Sequence, residues 1–148
     1  MKSLQALRGV QLVTAVIIAA ELGDLSRFES APKLMAYWGL VPSENSRGES
    51  KRRGHITRTG NSHVRRVLVE AAWQYRCRAS MSTAIRERND GVPRPIRDIA
   101  WKAQERLHRR YARMSGRGMC KQKTVTAIDR ELAGFVRAIG KTQQKLAS

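Results

Sequence analysis

The sequence predicts an all-α fold, and three observations support that prediction. Apolar residues recur at helical spacing in several long segments, and no segment alternates convincingly like a half-buried strand. Glycine and proline, which interrupt regular structure, occur mainly between these segments. The 148 residues are 41% hydrophobic but only 5% aromatic, which suits one modest core of aliphatic side chains. We therefore expect a helical hairpin, a long basic loop and a bundle of long helices in one domain over residues 1–140.

The first predicted element is a helical hairpin over residues 4–22. Two helices, over residues 4–7 and 10–22, flank a turn at Gly9, and the second helix is rich in alanine. This arrangement resembles the helix-hairpin-helix motif, which presents backbone N–H groups and a helix N-terminus to a phosphate. Gly9 is therefore a candidate nucleic-acid contact. Gln11 stands where the motif usually has a second glycine, so an ordinary helical hairpin is the alternative.

A helix over residues 31–38 and a long basic loop over residues 39–61 are predicted next. Glycines break up this loop, and loops of such length in compact domains are usually functional or disordered. Between residues 47 and 66 the chain has seven lysines or arginines and one acid. Ser43 and Ser46 precede the basic run. A serine hydroxyl is a possible nucleophile, and neighbouring cationic side chains could bind a phosphate, so this combination suits chemistry on a phosphate. The plainer interpretation is a solvated, flexible basic loop.

Three further helical segments are predicted within residues 62–140. The first begins at Ser62, and apolar stripes place the others at residues 96–114 and 123–139. The tail, residues 141–148, is expected to fray. The helix over residues 96–114 has a basic face, which is either solvated or a contact for a nucleic-acid backbone. That face consists of Arg97, Lys102, Arg106, Arg109, Arg110 and Arg113.

The charge of the chain predicts a polyanionic partner. With 29 basic and 12 acidic residues, the formal net charge is +17, which favours nucleic acid first and an acidic membrane surface second. No segment has the roughly 20 apolar residues of a membrane span, so no membrane partner is predicted. Cys77 and Cys120 have neither metal-ligand nor disulfide spacing, which suits a reducing, bacterial cytoplasm. Histidines and carboxylates are scattered, so no metal or other cofactor is predicted in this chain.

Three blocks of sequence resemble one known family. The first is Leu7-Arg8-Gly9-Val10 before an alanine-rich helix, which is similar to a Leu-Pro-Gly-Ile turn. The second runs from Arg27-Phe28 to Tyr37-Trp38-Gly39-Leu40-Val41-Pro42, similar to an Arg-Phe…Tyr-x-Gly-Leu-Val-Pro block. The third contains Ser46-Arg47-Gly48, Gly54 to Asn61 and Arg65 to Trp73. Across residues 4–140 the chain resembles the transposases of the IS110, IS116 and IS902 insertion-sequence groups.

The resemblance implies a two-part recombinase. An N-terminal RuvC-like domain would carry four acids that bind a divalent metal, with Mg²⁺ expected. A C-terminal domain would carry a serine that attacks DNA and forms a covalent phosphoserine. The resemblance also implies a structured guide RNA and a homo-oligomeric full-length enzyme. This chain resembles the C-terminal domain alone, so the acidic domain is expected to be missing and the isolated chain to be inactive.

Ser46 matches the family's catalytic serine, because it precedes the glycine of the third block. Arg47 stands where the family often has a second serine or threonine. Basic and polar residues of the loop and the following helix are predicted to contact DNA. They are Arg47, Lys51, Arg52, Arg53, Arg58, Asn61, Arg65 and Arg66. Two alternatives remain: a truncated, non-catalytic helical module that binds DNA or RNA, and a basic structural protein of a ribonucleoprotein.

Overall fold

The computed structural model describes residues 1–39, 42–47, 50–56 and 62–148. Within those ranges the body of the molecule is helical, which confirms the all-α prediction. The helices are α1 (Leu12–Leu22), α2 (Ala31–Tyr37), α3 (Ser62–Trp73), α4 (Thr83–Asn89), α5 (Arg94–Gly116) and α6 (Lys121–Ala147). Short 3-10 segments occur at Lys2–Ala6, Leu25–Arg27 and Gln74–Arg76. Two strands, β1 (Pro42–Arg47) and β2 (Ser50–Ile56), lie between α2 and α3.

Helix α6 is the centre of the helical body. It contacts α5, α3 and α2, and also the 3-10 segments Lys2–Ala6 and Leu25–Arg27. Its apolar residues recur every three or four positions, so one broad side of the helix is buried. The buried apolar residues of α6 are Val125, Ile128, Leu132, Ala133, Val136 and Ile139. Burial of this side against several partners at once makes α6 the element that joins the others into one core.

The end of α6 corrects a prediction. The tail, residues 141–148, was expected to fray, but the helix continues to Ala147. Lysine, glutamine, leucine and alanine are good helix formers, and these residue types dominate the tail. Ser3 Oγ also donates a hydrogen bond to Gln143 Oε1, which links the tail to the first segment of the chain.

Helix α1 exposes several of its apolar residues. Its buried positions are Ala15, Ile18 and Leu22, whereas the Val13 side chain is 70% exposed. Because α1 is apolar nearly all round, the spacing of its residues did not define one face.

Helix α4 lacks a sequence signal of its own. Ile85 is its one buried residue, so no apolar stripe marks it. Its start is fixed by a cap, since the Ser82 side chain accepts a hydrogen bond of 3.3 Å from the backbone N–H of Ile85.

The segment before the strands is held by aromatic and polar contacts. The Arg27 guanidinium lies 4.8 Å from the Phe28 ring centroid and 5.2 Å from that of Tyr37. Trp38 is completely buried. From α6, Arg137 Nε donates a hydrogen bond of 2.9 Å to the Phe28 carbonyl. These contacts hold the segment from Arg27 to Tyr37 together and against α6.

No helix in the part of the chain that the structure describes is long and apolar enough to cross a membrane.

Candidate nucleic-acid interface

The predicted basic loop, residues 39–61, contains an antiparallel β-hairpin, so the expectation of a loop without strands is wrong. The two strands pair with Arg47 opposite Ser50, and residues 48 and 49 between them in the sequence lie outside the described residues. Short hairpin connections favour glycine at the first central position. Serine, asparagine and glutamate dominate β1 and are weak strand formers, so the composition of this segment did not predict a strand. Gly48 was the signal that could have revealed it.

The hairpin register brings the predicted catalytic residue close to the predicted DNA contacts. Ser46 is the Cα partner of Lys51, and Asn45 is that of Arg52. Opposed residues in an antiparallel ladder have Cα atoms about 4.5–5.5 Å apart. Arg47 and Arg53 lie in the same two strands. The backbone positions of Ser46 and four cationic residues are therefore gathered within one short hairpin.

The ladder is irregular near its open end. Pro42 pairs with Ile56, but Glu44 pairs with Arg53, so β2 has one more residue than β1 between these two pairs. Gly54 lies in this bulged stretch, where glycine is often found. A bulge increases the local twist of a ribbon and bends the bulged strand. The proline is the first residue of its strand, where its missing N–H is tolerated.

The remaining predicted contacts are only partly within the described residues. Arg58 and Asn61 lie outside them. Arg65 and Arg66 belong to the first turns of α3. Arg66 is exposed, whereas Arg65 is half-buried and its Nη1 is enclosed without a hydrogen-bond partner among the described residues.

Gly9 has a role in packing. Its φ is +84°, and a Cβ at this position would lie 2.7 Å from the Ala71 carbonyl oxygen of α3. The turn around it is held from both sides: Arg8 Nη1 donates hydrogen bonds of 2.7 Å to the Arg78 carbonyl and 3.0 Å to Gln104 Oε1. Arg88 Nη1 donates one of 3.3 Å to the Val10 carbonyl. A phosphate contact at Gly9 stays a prediction.

A second basic surface lies at the end of α5. The sequence indicated a basic face on this helix but placed its end at residue 114, whereas α5 reaches Gly116 and is followed directly by Arg117. Five arginines line a cleft of 540 Å³ between this end of α5 and α6. The spacing of the arginines in the sequence indicated the basic face of α5. It could not show that α6 packs beside that face and forms the other side of the cleft.

The described residues do not fit a divalent metal. They contain no cluster of three or more histidine, cysteine, aspartate or glutamate side chains that could hold one. The buried carboxyl group of Asp129 is isolated: burial raises its pKa to about 7, and its Oδ1 has no hydrogen-bond partner among the described residues. Burial likewise raises the pKa of the Tyr75 phenol, and the charges of Arg8 and Arg88 oppose that shift.

Comparison with known proteins gives one consistent family. The sequence profile of the transposase IS116/IS110/IS902 family matches residues 1–87. "Putative transposase y4qE" of Sinorhizobium fredii is 48% identical over 146 residues, which are 99% of this chain and 37% of that protein. "Transposase for insertion sequence element IS1533" of Leptospira borgpetersenii is 28% identical over 109 residues, 73% of this chain and 32% of that protein.

A third relative is the "Probable family 20 transposase" of Pseudomonas aeruginosa, 33% identical over 69 residues, or 47% of this chain and 20% of that protein. This chain thus spans less than two fifths of the length of each of these relatives. No solved structure matches the chain.

Proposed function

The chain belongs to the transposase IS116/IS110/IS902 family, and from that premise we propose that it is the DNA-binding, serine-bearing domain of an insertion-sequence transposase. The observation that carries this proposal is the hairpin register, in which Ser46 and Lys51 are Cα partners and Arg52 follows directly. The net charge of +17 supports a polyanionic partner. In this proposal the hairpin holds the DNA backbone beside the serine.

The chemistry proposed for Ser46 is a displacement at phosphorus. The serine hydroxyl gives up its proton as its oxygen bonds to phosphorus, the bond from phosphorus to one deoxyribose oxygen breaks, and that departing oxygen takes up one proton, so the step is proton-neutral overall. Negative charge builds up on the phosphoryl oxygens during this step, and nearby cations stabilise it. The phosphoserine ester keeps a phosphodiester-like bond that a second DNA end can attack. Hydrolysis would destroy that bond.

The other parts of the reaction are proposed to come from a RuvC-like domain with metal-binding acids. The Mg²⁺ implied by the family resemblance is proposed to bind the acids of that domain. Duplex DNA is the proposed substrate, in the bacterial cytoplasm. A structured guide RNA and a homo-oligomeric full enzyme are further parts of this proposal.

Replacement of the proposed nucleophile tests this function. In an assembly of this chain with a RuvC-like domain, Ser46→Ala should abolish covalent protein–DNA adducts and change DNA affinity less than about twofold, because one small, uncharged hydroxyl contributes little to phosphate binding. Labelled DNA that stays attached to protein on a denaturing gel measures the adducts.

Ser43→Ala is the matched control, since it removes a hydroxyl from the same strand and should keep the adducts. The isolated chain should bind DNA without forming any. Adducts that persist in the Ser46→Ala protein would show that another residue attacks the DNA. Adducts absent from both the unaltered assembly and its variants would favour a non-catalytic binding module.

A further inference from the structure

A strongly basic cleft lies between the C-terminal half of α5 and the facing side of α6. We call it the arginine cleft. It has a volume of 540 Å³ and is open to solvent. Its charged lining consists of Arg106, Arg109, Arg110, Arg113, Arg117 and Glu131. None of these residues belongs to the hairpin or to the first turns of α3.

Four of the arginines form one stripe along the helix. Arg106, Arg110, Arg113 and Arg117 are spaced four, three and four residues apart, which is the repeat of one helical face. Eleven residues of α-helix span about 16 Å. One DNA strand advances about 3.4 Å per phosphate along the duplex axis, so the stripe is as long as roughly four to five nucleotides. The spacing therefore suits several contacts along one backbone.

The cleft has a large excess of positive charge. Glu131 is its one acid, and a single carboxylate oxygen accepts hydrogen bonds from both Arg106 Nη2 at 3.2 Å and Arg110 Nη1 at 2.7 Å. The guanidinium groups of Arg109, Arg113 and Arg117 have no acidic partner within the described residues. Like charges three or four residues apart destabilise a helix. A bound polyanion would relieve that repulsion.

The residue type of the cleft points to phosphate. Between residues 103 and 119, arginine occurs five times and lysine never. Arginine presents a planar fork of donors that matches phosphate oxygens in pairs, whereas lysine acts as a point charge. An acidic protein surface would be matched by either residue type, so the uniform choice of arginine favours the phosphodiester backbone.

We propose that the arginine cleft is a second binding site for the phosphodiester backbone of duplex DNA. The domain then holds DNA at two places, the hairpin and this cleft. The inference rests on the proposed DNA-binding function and adds to it a surface on a different pair of elements.

The test compares three variants of the full 148-residue chain by fluorescence anisotropy with a labelled 30-base-pair duplex at several salt concentrations. The cleft variant carries Arg109→Ala, Arg113→Ala and Arg117→Ala. The control variant carries Arg94→Ala, Lys141→Ala and Lys145→Ala, which removes three exposed charges at the other end of the same two helices. The hairpin variant carries Arg52→Ala and Arg53→Ala.

The cleft variant should bind duplex DNA at least about tenfold more weakly. The slope of the logarithm of its binding constant against the logarithm of the salt concentration should become shallower by about two to three, because each lost phosphate contact accounts for nearly one unit. The control variant, with the same net charge, should bind within about twofold of the unaltered chain. Equal losses in the cleft and control variants would overturn the proposal. A loss in the cleft variant for duplex RNA but not for duplex DNA would also overturn it.

The hairpin variant separates this inference from the proposed function. If the hairpin variant loses affinity and the cleft variant does not, the cleft proposal fails and the hairpin function stands. If only the cleft variant loses affinity, the hairpin function fails and the cleft proposal stands.

A gain of affinity provides a test that unfolding cannot imitate. Glu131→Gln releases Arg106 and Arg110 from their carboxylate and should tighten binding to duplex DNA about threefold or more, because two further cations become available to phosphates. Glu105→Gln removes an exposed acid from α5, the helix that carries Arg106 and Arg110, and should have a smaller effect. Equal gains in both variants, or no gain in the first, would contradict the proposal.

Discussion

Gly9 connects the first turn of the chain to the helical core through its backbone alone. Its positive φ is a conformation that other residues adopt with strain, and its Cα faces the Ala71 backbone so closely that no side chain fits. The sequence predicted a turn at this position, because glycine between two helical segments ends the first of them. It could not predict the close approach, since Ala71 is far away along the chain.

Gly9→Ala should therefore lower the free energy of unfolding by about 2–4 kcal/mol, from strain in the backbone and the clash with α3 combined. Gly23→Ala is the matched control: its φ is +62°, but nothing lies within 4 Å of its added Cβ. Gly23→Ala should lower the free energy of unfolding by only about 1 kcal/mol, because it adds backbone strain without a clash. Urea unfolding followed by circular dichroism measures both, and equal effects would refute the packing role.

At the scale of elements, prediction from sequence succeeded where apolar residues repeat over many turns. Helices α5 and α6 were found because each has a stripe of four or more buried residues. Helix α4 was missed because it buries Ile85 alone, and the β-hairpin was missed because its strands are polar. Local patterns reveal an element only when burial imposes them, so exposed elements leave little trace.

The close approach of α6 to the segment Leu25–Arg27 depends on Gly140. A Cβ at Gly140 would lie 2.6 Å from Leu25 Cβ, so Gly140→Ala should destabilise the protein by about 1–3 kcal/mol through overpacking. Gly134→Ala, on the same helix, places its Cβ 3.8 Å from Ala31 Cβ, an ordinary contact. Because alanine is the better helix former, that variant should gain up to about 1 kcal/mol. Thermal unfolding of the two variants should shift in opposite directions, and shifts of the same sign would contradict this packing.

At the scale of the whole molecule, the composition indicates the class of partner, whereas the fold determines which charged residues lie close together. The net charge of +17 predicts a polyanionic partner, but it does not predict which surfaces would bind one. The hairpin and the arginine cleft each need two elements side by side, and that proximity arises only in the folded chain. Similarly, the family resemblance indicated Ser46, whereas its pairing with Lys51 is a property of the strand register.

The buried carboxyl group of Asp129 should make the stability of the whole domain depend on pH. Its pKa is raised in the folded state, to about 7, so folding favours its protonated form. The resulting penalty is absent below the unfolded pKa near 4, grows as pH rises, and is complete above about 7. Asp129→Asn removes the ionisation and should stabilise the protein at pH 8, by up to about 4 kcal/mol, much more than at pH 4.

The measurement is the difference in unfolding free energy between the variant and the unaltered chain from pH 4 to pH 8. A difference that stays constant across this range would contradict a protonated Asp129 in the folded protein.

The central position of α6 has a consequence for the order of folding during synthesis. This helix follows all the other described elements in the chain, yet α2, α3 and α5 all pack against it. Because the ribosome releases the earlier helices first, the apolar surfaces that they bury against α6 stay exposed to solvent until α6 emerges. Helices α5 and α6 are neighbours in sequence and can pair at once, whereas the contact of Ser3 with Gln143 requires closure of almost the whole chain. The N-terminal segment should therefore be the last to dock during folding.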